Sequence, residues 1–368
     1  MLRVLFAGLK YGYGRPELGL SLEFRNFYDT LKSMKGVQVD FYAVDEEMLS
    51  VGRDKMNAEL IRTVESSEPD LLFCCLYTDE LKTDTIAYIT MRTRTKTFNW
   101  FCDDSWRFWT FSRHWAPLFT AVATTDSHAL EEYSRYGIRN VIMSQWAVNP
   151  NLYGPRSVVN GAHSYDISFV GEKYGNRGPY IRTLERSGLT VVAFGRGFQA
   201  GHIQFEEMLR TFSQSRINLN FSGTPALGAR NALKALVKLV IKKELGRYKF
   251  SAHGIKDELR SMVGARRPQI KSRIFEVPAC AGFLMTTAAD GLDEYYTPNR
   301  EIVIFENAED LVEKCRYYLA HEGERYAIAE AGARRTLLEH TYAHRFREIF
   351  QRMGLIDKLK DTNSQCAE

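Results

Sequence analysis

Short runs rich in β-branched and aromatic residues alternate along this chain with longer stretches of helical period, the order expected of parallel βαβ units. In the first half the runs fall at 2–7 (LRVLFA), 37–44 (VQVDFYAV), 70–76 (DLLFCCL), 97–101 (TFNWF), 120–124 (TAVAT) and 140–145 (NVIMSQ), with helical patterns such as 22–34 and 55–66 between them. The segment 149–165 contains Pro150, Gly154, Pro155 and Gly161, has no clean period, and marks a linker. A second series follows at 166–170 (DISFV), 189–194 (LTVVAF), 216–221 (RINLNF), 282–286 (GFLMT) and 301–305 (EIVIF). The pattern predicts an α/β protein of two doubly wound domains facing a central cleft, with ligands at the carboxyl ends of the strands. The expected division is 1–150, a linker 151–165, 166–338, and a closing segment 339–368.

Composition narrows the class without changing the fold. Hydrophobic residues make up 45% and charged residues 26% of 368, a globular average. The amino-terminal apolar run ends at Lys10 and reads as a strand rather than a signal peptide. No stretch approaches the ~20 apolar residues of a membrane span. The six cysteines show no CxxC spacing and mostly sit in apolar runs, so they are expected to be reduced core thiols of a cytoplasmic protein, with no structural zinc.

The 49 Lys and Arg nearly balance the 45 Asp and Glu, a net +4 that argues against a nucleic-acid binder. The total hides a polarity. Residues 230–273, overlapping a basic segment placed at 228–268, hold 13 basic and 3 acidic side chains, which leaves the rest of the chain at −6. Within it, Leu233, Leu236, Val237, Val240 and Ile241 share a helical period, with Lys234, Lys238 and Lys242 along an adjacent face. Three readings stay open for this basic helix: a solvated cover of the second core, a contact with an anionic membrane surface, or a grip on an acidic acceptor.

Candidate chemistry lies at strand ends. Gly8, Gly12 and Gly14 form a turn after the first strand where backbone amides could approach a phosphate, although the spacing is not GxGxxG. The loop after 166–170 offers Lys173, Asn176 and Arg177 to a diphosphate. Asp103 and Asp104 follow the strand 97–101 directly, amid Trp106, Arg107, Phe108, Trp109, Phe111, His114 and Trp115, so at least one carboxylate is expected to project into the cleft. His340, His344 and Arg345 lie on an expected helix 339–354 with no third metal ligand, which points to packing and hydrogen bonding.

The runs RIFEVPACAGFLMT, GLDEYYTPNREIVIFENAEDLVEKCRYYL and HTYAHR, together with FVGEKYGNR, WAVNPNLYGP and FCDDSWRF, resemble the CgeB-like, spore-maturation-type glycosyltransferases. That resemblance covers most of the chain and implies the GT-B class: two Rossmann-like domains, the second holding a nucleotide-sugar donor and the first receiving the acceptor. It implies that Glu276 binds the ribose hydroxyls. Lys271 and Arg273 precede it, and Arg273 is expected to face the diphosphate, with an ion pair to Glu276 as the competing reading. The pattern departs at Pro268, where relatives often carry a glutamate, and at Ala281, where glycine is common.

The activity expected is transfer from a nucleotide sugar to a cell-surface or spore-coat glycan or lipid-linked acceptor, in the cytoplasm or on the inner face of the membrane; no DxD pair falls in a suitable loop, so neither a metal nor a cofactor is indicated and transfer is expected to be metal-independent. Asp103 or Asp104 would serve as base or orienter. A nucleotide-sugar 2-epimerase of the same architecture, or a non-catalytic glycan- or nucleotide-sugar-binding partner, are the alternatives.

Overall fold

The computed structural model describes residues 1–155, 163–223, 242–244, 247–249 and 252–359. The chain forms two compact units: Met1–Gln145 with Tyr342–Glu368, and Trp146–Thr341. Of the linker expected from the sequence, 156–162 lie outside the described residues.

The first unit is built on a six-stranded parallel sheet of β1 (Leu2–Gly8), β2 (Val37–Ala43), β3 (Leu71–Cys74), β4 (Lys96–Phe101), β5 (Ala121–Thr124) and β6 (Val141–Met143), in the order β2-β1-β3-β4-β5-β6. β3 and β5 are buried along their whole length and β4 nearly so, which is why they read as unbroken apolar runs; the edge strand β2 alternates. The strand order reverses between β1 and β3. That is the switch point, outside whose carboxyl ends such sheets bind ligands.

One face of this sheet is closed by rings. Phe27, Phe73 and Trp100 are fully buried, and the helix Tyr342–Arg352 returns to this unit to seat Tyr342 4.9 Å from the Phe27 ring and Phe346 5.3 Å from the Phe73 ring. Arg345 Nε donates to the Gln145 carbonyl (3.2 Å). The single helix expected over 339–354 is broken: one helix ends at Glu339 and the next begins at Tyr342. Between them Val148 N–H donates to His340 O, so that backbone serves a bridge between Val148 and Thr341 instead of a helical ladder.

The second unit carries a five-stranded parallel sheet: β7 (Tyr165–Val170), β8 (Val191–Phe194), β9 (Ser215–Asn220), β12 (Leu284–Thr287) and β13 (Val303–Phe305), in the order β13-β12-β9-β7-β8. Its switch point lies between β7 and β9. The numbers β10 (Lys242–Glu244) and β11 (Arg247–Lys249) belong to a separate two-stranded antiparallel ribbon with Glu244 opposite Arg247. Lys242 therefore stands in a strand, which corrects the helix expected to run through it: its backbone bonds go across to Lys249 instead of along a helix. Lys234 and Lys238 lie outside the described residues.

Candidate functional site

In the second unit the chemistry gathers at the switch point. β7 ends at Val170, and the loop after it carries Lys173 and Asn176 into α1 (Arg177–Arg186). Arg177 is 8% exposed; its Nη1 donates to Glu172 O (3.0 Å) and its Nη2 reaches Phe221 O just beyond β9 (3.5 Å). The guanidinium thus ties together the two strands between which the order reverses. It lies 3.8 Å from the centre of the Tyr174 ring. Burial pulls the Arg177 pKa below the usual guanidinium range, and the positive charge of Arg273 acts in the same direction, which places the two cations in one electrostatic neighbourhood.

Glu276 lies on α2 (Arg273–Ala279), is 2% exposed, and is held from two sides. Tyr153 Oη donates to its Oε1 (3.1 Å), and Arg273 Nη1 pairs with its Oε2. Arg273, expected to face a diphosphate, therefore holds the Glu276 carboxylate here, while its Cζ lies 5.5 Å from the centre of the Phe212 ring. Lys271 Nζ donates to Gln269 Oε1 (2.8 Å), and Gln269 N–H to Ser222 O (3.0 Å), which docks the approach to α2 onto the end of β9.

Three buried polar atoms around this point have no hydrogen-bond partner among the described residues: Nε of Arg177, Nε of Arg273 and Oδ1 of Asn176. Such atoms are uncommon in native interiors and mark capacity for a ligand. The Lys173 stem crosses Gly178 at the amino end of α1; a Cβ there would meet its Cε at 3.1 Å. Tyr153 was not singled out from sequence, since a tyrosine in a linker-like run carries no signal until the fold sets it beside Glu276.

The first unit assembles a different set. The turn after β1 is closed on itself: Gly12 N–H donates to Gly19 O and Gly14 N–H to Tyr11 O (both 2.9 Å), while Asp45 accepts from the amides of Lys10 and Tyr11. The Gly12 and Gly14 amides, expected to cradle a phosphate, are consumed in shaping the turn. What the turn presents is Tyr13, at φ 53° and 63% exposed, with its ring 5.1 Å from that of Tyr77. Arg107 lies over Tyr77, Trp106 and Phe111 (5.8, 5.5 and 4.1 Å). Trp106 and Tyr77 are exposed, whereas Phe108 and Trp115 are plain core.

Asp103 and Asp104 part company. Asp103 is half-buried at the start of the turn Asp104–Arg107, its carbonyl accepting from the amides of Trp106 and Arg107. Asp104 is 1% exposed and accepts from Tyr133 Oη at 2.9 Å; burial raises its pKa to about 6. Of the two, only Asp103 retains access to a ligand. His340 is likewise structural, its Nε2 bonded to Tyr295 O (2.9 Å).

Within electrostatic reach of Tyr77 and Arg107 lie Glu23, Glu80 and Cys102, with Cys75 beside Cys102. Glu80 is 8% exposed and both its oxygens accept from Thr78 N–H (2.8 Å). Cys75 Sγ and Cys102 Sγ are 3.9 Å apart, and that hydrogen bond together with burial keeps the Cys75 thiol protonated. Composition had made these thiols core filler. Cys74 is that, but Cys75 and Cys102 meet at adjacent strand ends, a pairing that spacing along the chain does not reveal.

Residues 252–351 match a family described as glycosyl transferase-like. The Bacillus subtilis (strain 168) spore protein CgeB is 20% identical over 289 residues, 78% of this chain and 84% of that protein. Among solved structures, sucrose-phosphate synthase from Thermosynechococcus elongatus superposes with a TM-score of 0.61 at 10% identity, over 96% of this chain and 99% of that one. Anabaena HepE in complex with UDP-glucose gives 0.56 at 13% identity, over 96% and 100%. AviGT4, a glycosyltransferase of avilamycin A biosynthesis, gives 0.54 at 11%, over 97% and 98%. The likeness of fold, together with the two parallel sheets, is that of GT-B proteins. No helix among the described residues is long and apolar enough to cross a membrane.

Proposed function

We propose that this CgeB-like glycosyltransferase of GT-B fold moves a sugar from a nucleoside diphosphate to a hydroxyl of a glycan or lipid-linked acceptor. The observation that carries the reading is the second unit's switch point, where Glu276 is oriented by Tyr153 and Arg273 beside the buried cation of Arg177. HepE, of similar fold, binds UDP and UDP-glucose, which favours a nucleotide sugar as the donor class.

In this reading the Glu276 carboxylate accepts from vicinal ribose hydroxyls. Arg177 and Lys173 meet the diphosphate, and Arg273 turns from Glu276 toward it when donor arrives. As the bond between the anomeric carbon and the diphosphate oxygen breaks, these cations stabilise the departing negative charge, so transfer is expected to need no added Mg²⁺. The acceptor sugar rests against Tyr13, Tyr77 and Trp106, and its hydroxyl gives its proton to Asp103 or is oriented by it. The basic segment 228–268 brings the chain to anionic lipid, where a lipid-linked acceptor lies; pelleting with anionic liposomes, lost when Lys234, Lys238 and Lys242 become Glu, tests that part.

The donor assignment is tested by thermal shift with nucleoside diphosphates and their sugars. A true donor at 100 times its dissociation constant adds about 2.7 kcal/mol of stability. Glu276→Gln is expected to weaken binding roughly 10–100-fold through lost charge-assisted hydrogen bonds. No shift with any nucleotide would overturn the reading, and an epimerised nucleotide sugar formed without acceptor would replace transfer by epimerisation.

A further inference from the structure

The first unit holds a cluster that neither the fold nor the proposed transfer uses. Cys75 follows the last residue of β3, Cys102 the last residue of β4, and Glu23 stands on the helical segment after the β1 turn. One ligand atom from each of the three lies within 4.8 Å of the others. We propose that Glu23, Cys75 and Cys102 form a binding site for a borderline-soft divalent cation, Zn²⁺ in the first instance, at the switch point of the first sheet.

Geometry supports it first. Two sulfurs on a tetrahedral zinc, each about 2.3 Å from the metal, are about 3.8 Å apart. The two Sγ atoms here lie 3.9 Å apart, without a disulfide between them. Position is the second support. Cys75 and Cys102 follow the ends of the neighbouring strands β3 and β4, and Glu23 reaches them from the helical segment; alternation turns only one of two adjacent cysteines toward that point, so that Cys74 packs into the core and Cys75 faces the cluster.

The third support is electrostatic. Glu80, buried, adds a second carboxylate beside the half-buried Glu23; among the described residues neither forms an ion pair, although the Arg107 charge acts on Glu80. A divalent charge would compensate both.

The donor set also selects the ion. Two sulfurs and one carboxylate suit Zn²⁺ or Co²⁺, not Mg²⁺ or Ca²⁺, which take oxygen ligands. On binding, the two thiols become thiolates and release their two protons to solvent, a preference that the metal charge itself reverses. With three protein ligands the fourth tetrahedral position falls to water. The helical segment that carries Glu23 is fixed at its start: Ser21 Oγ donates to Leu9 O just beyond β1 (2.6 Å) and accepts from Phe24 N–H (2.9 Å).

The test uses the full-length reduced chain, stripped with a chelator and titrated with Co²⁺ and then Zn²⁺. One ion per chain is expected, with the near-ultraviolet thiolate-to-cobalt charge-transfer band that zinc then abolishes. Cys75→Ser and Cys102→Ser should each cut the band to about half or less and weaken Zn²⁺ by roughly 100-fold or more, and Glu23→Gln should weaken it roughly 10–100-fold while the full band remains. Cys74→Ala should bind as the unmodified chain does.

If a serine variant fails to fold, alkylation of the unmodified chain decides: Zn²⁺ should protect Cys75 and Cys102 from iodoacetamide. Absence of the cobalt band, no protection by Zn²⁺, or equal binding by Cys75→Ser would overturn the proposal. Nucleotide binding by the second unit is read separately, so loss of one assignment leaves the other standing.

Discussion

Adjacent residues can differ entirely in what they are free to do. Asp104 accepts from Tyr133 inside the core, and burial, only partly offset by neighbouring hydroxyls, raises its pKa from 3.8 to about 6. Between these values the folded chain binds a proton that the unfolded chain has lost, so this group's contribution to stability falls as pH rises from about 4 to about 6. The displacement corresponds to about 3 kcal/mol at neutral pH. Asp104→Asn keeps an oxygen to accept from Tyr133 and removes the buried charge. It is therefore expected to unfold at higher urea than the unmodified chain at pH 7, by up to about 3 kcal/mol, and equally at pH 4. Asp103→Asn should lower turnover by ~10²–10⁴-fold if it accepts the acceptor proton. Sequence could name the pair but not divide it, because the division depends on Tyr133, nearly thirty positions away in the chain.

At the scale of the element, the end of α2 explains a departure from family pattern noticed in sequence. Gly282 N–H donates to Val277 O and Ala281 N–H to Pro278 O, the two bonds of a Schellman cap. The cap residue must be left-handed, and Ala281 sits at φ 55°. Glycine adopts that conformation without the steric cost of a Cβ. Ala281→Gly is thus expected to stabilise the second unit by about 1 kcal/mol in chemical denaturation, with donor binding unaltered; destabilisation would mean that the alanine methyl makes a packing contact worth more than its strain. The neighbouring Gly282 is different, since a Cβ there would lie 2.6 Å from Phe212 O. Elements of this kind were largely legible: all eleven runs read as strands are strands, because central parallel strands are apolar on both faces. The misreadings came where tertiary bonds override local period, at His340, whose carbonyl is taken by Val148, and at Lys242, which pairs with Lys249.

For the whole molecule, what the sequence could not show is which distant segments share a core. The two domains were visible as two series of strands, and the loop after β7 and Glu276 as motifs. The meeting of Cys75 with Cys102 and the rings that close the first sheet were not, since both require contacts spanning tens to hundreds of positions. The first unit is discontinuous: Phe27, Phe73 and Trp100 are covered by Tyr342 and Phe346 from the far end of the chain, and Lys358 pairs with Asp70. Burying rings of this size contributes on the order of 2–3 kcal/mol each, a large share of the 5–15 kcal/mol that holds a domain folded. The polypeptide Met1–Gln145 alone is therefore expected to bind a hydrophobic dye and melt without a cooperative transition. Joined through a short flexible linker to Tyr342–Glu368, the same polypeptide should regain a cooperative melt and lose the dye. Phe346→Ala in the joined form should lower its stability by ~3–5 kcal/mol. Cooperative melting of Met1–Gln145 by itself would show that the returning helix is an accessory to this core and not a part of it.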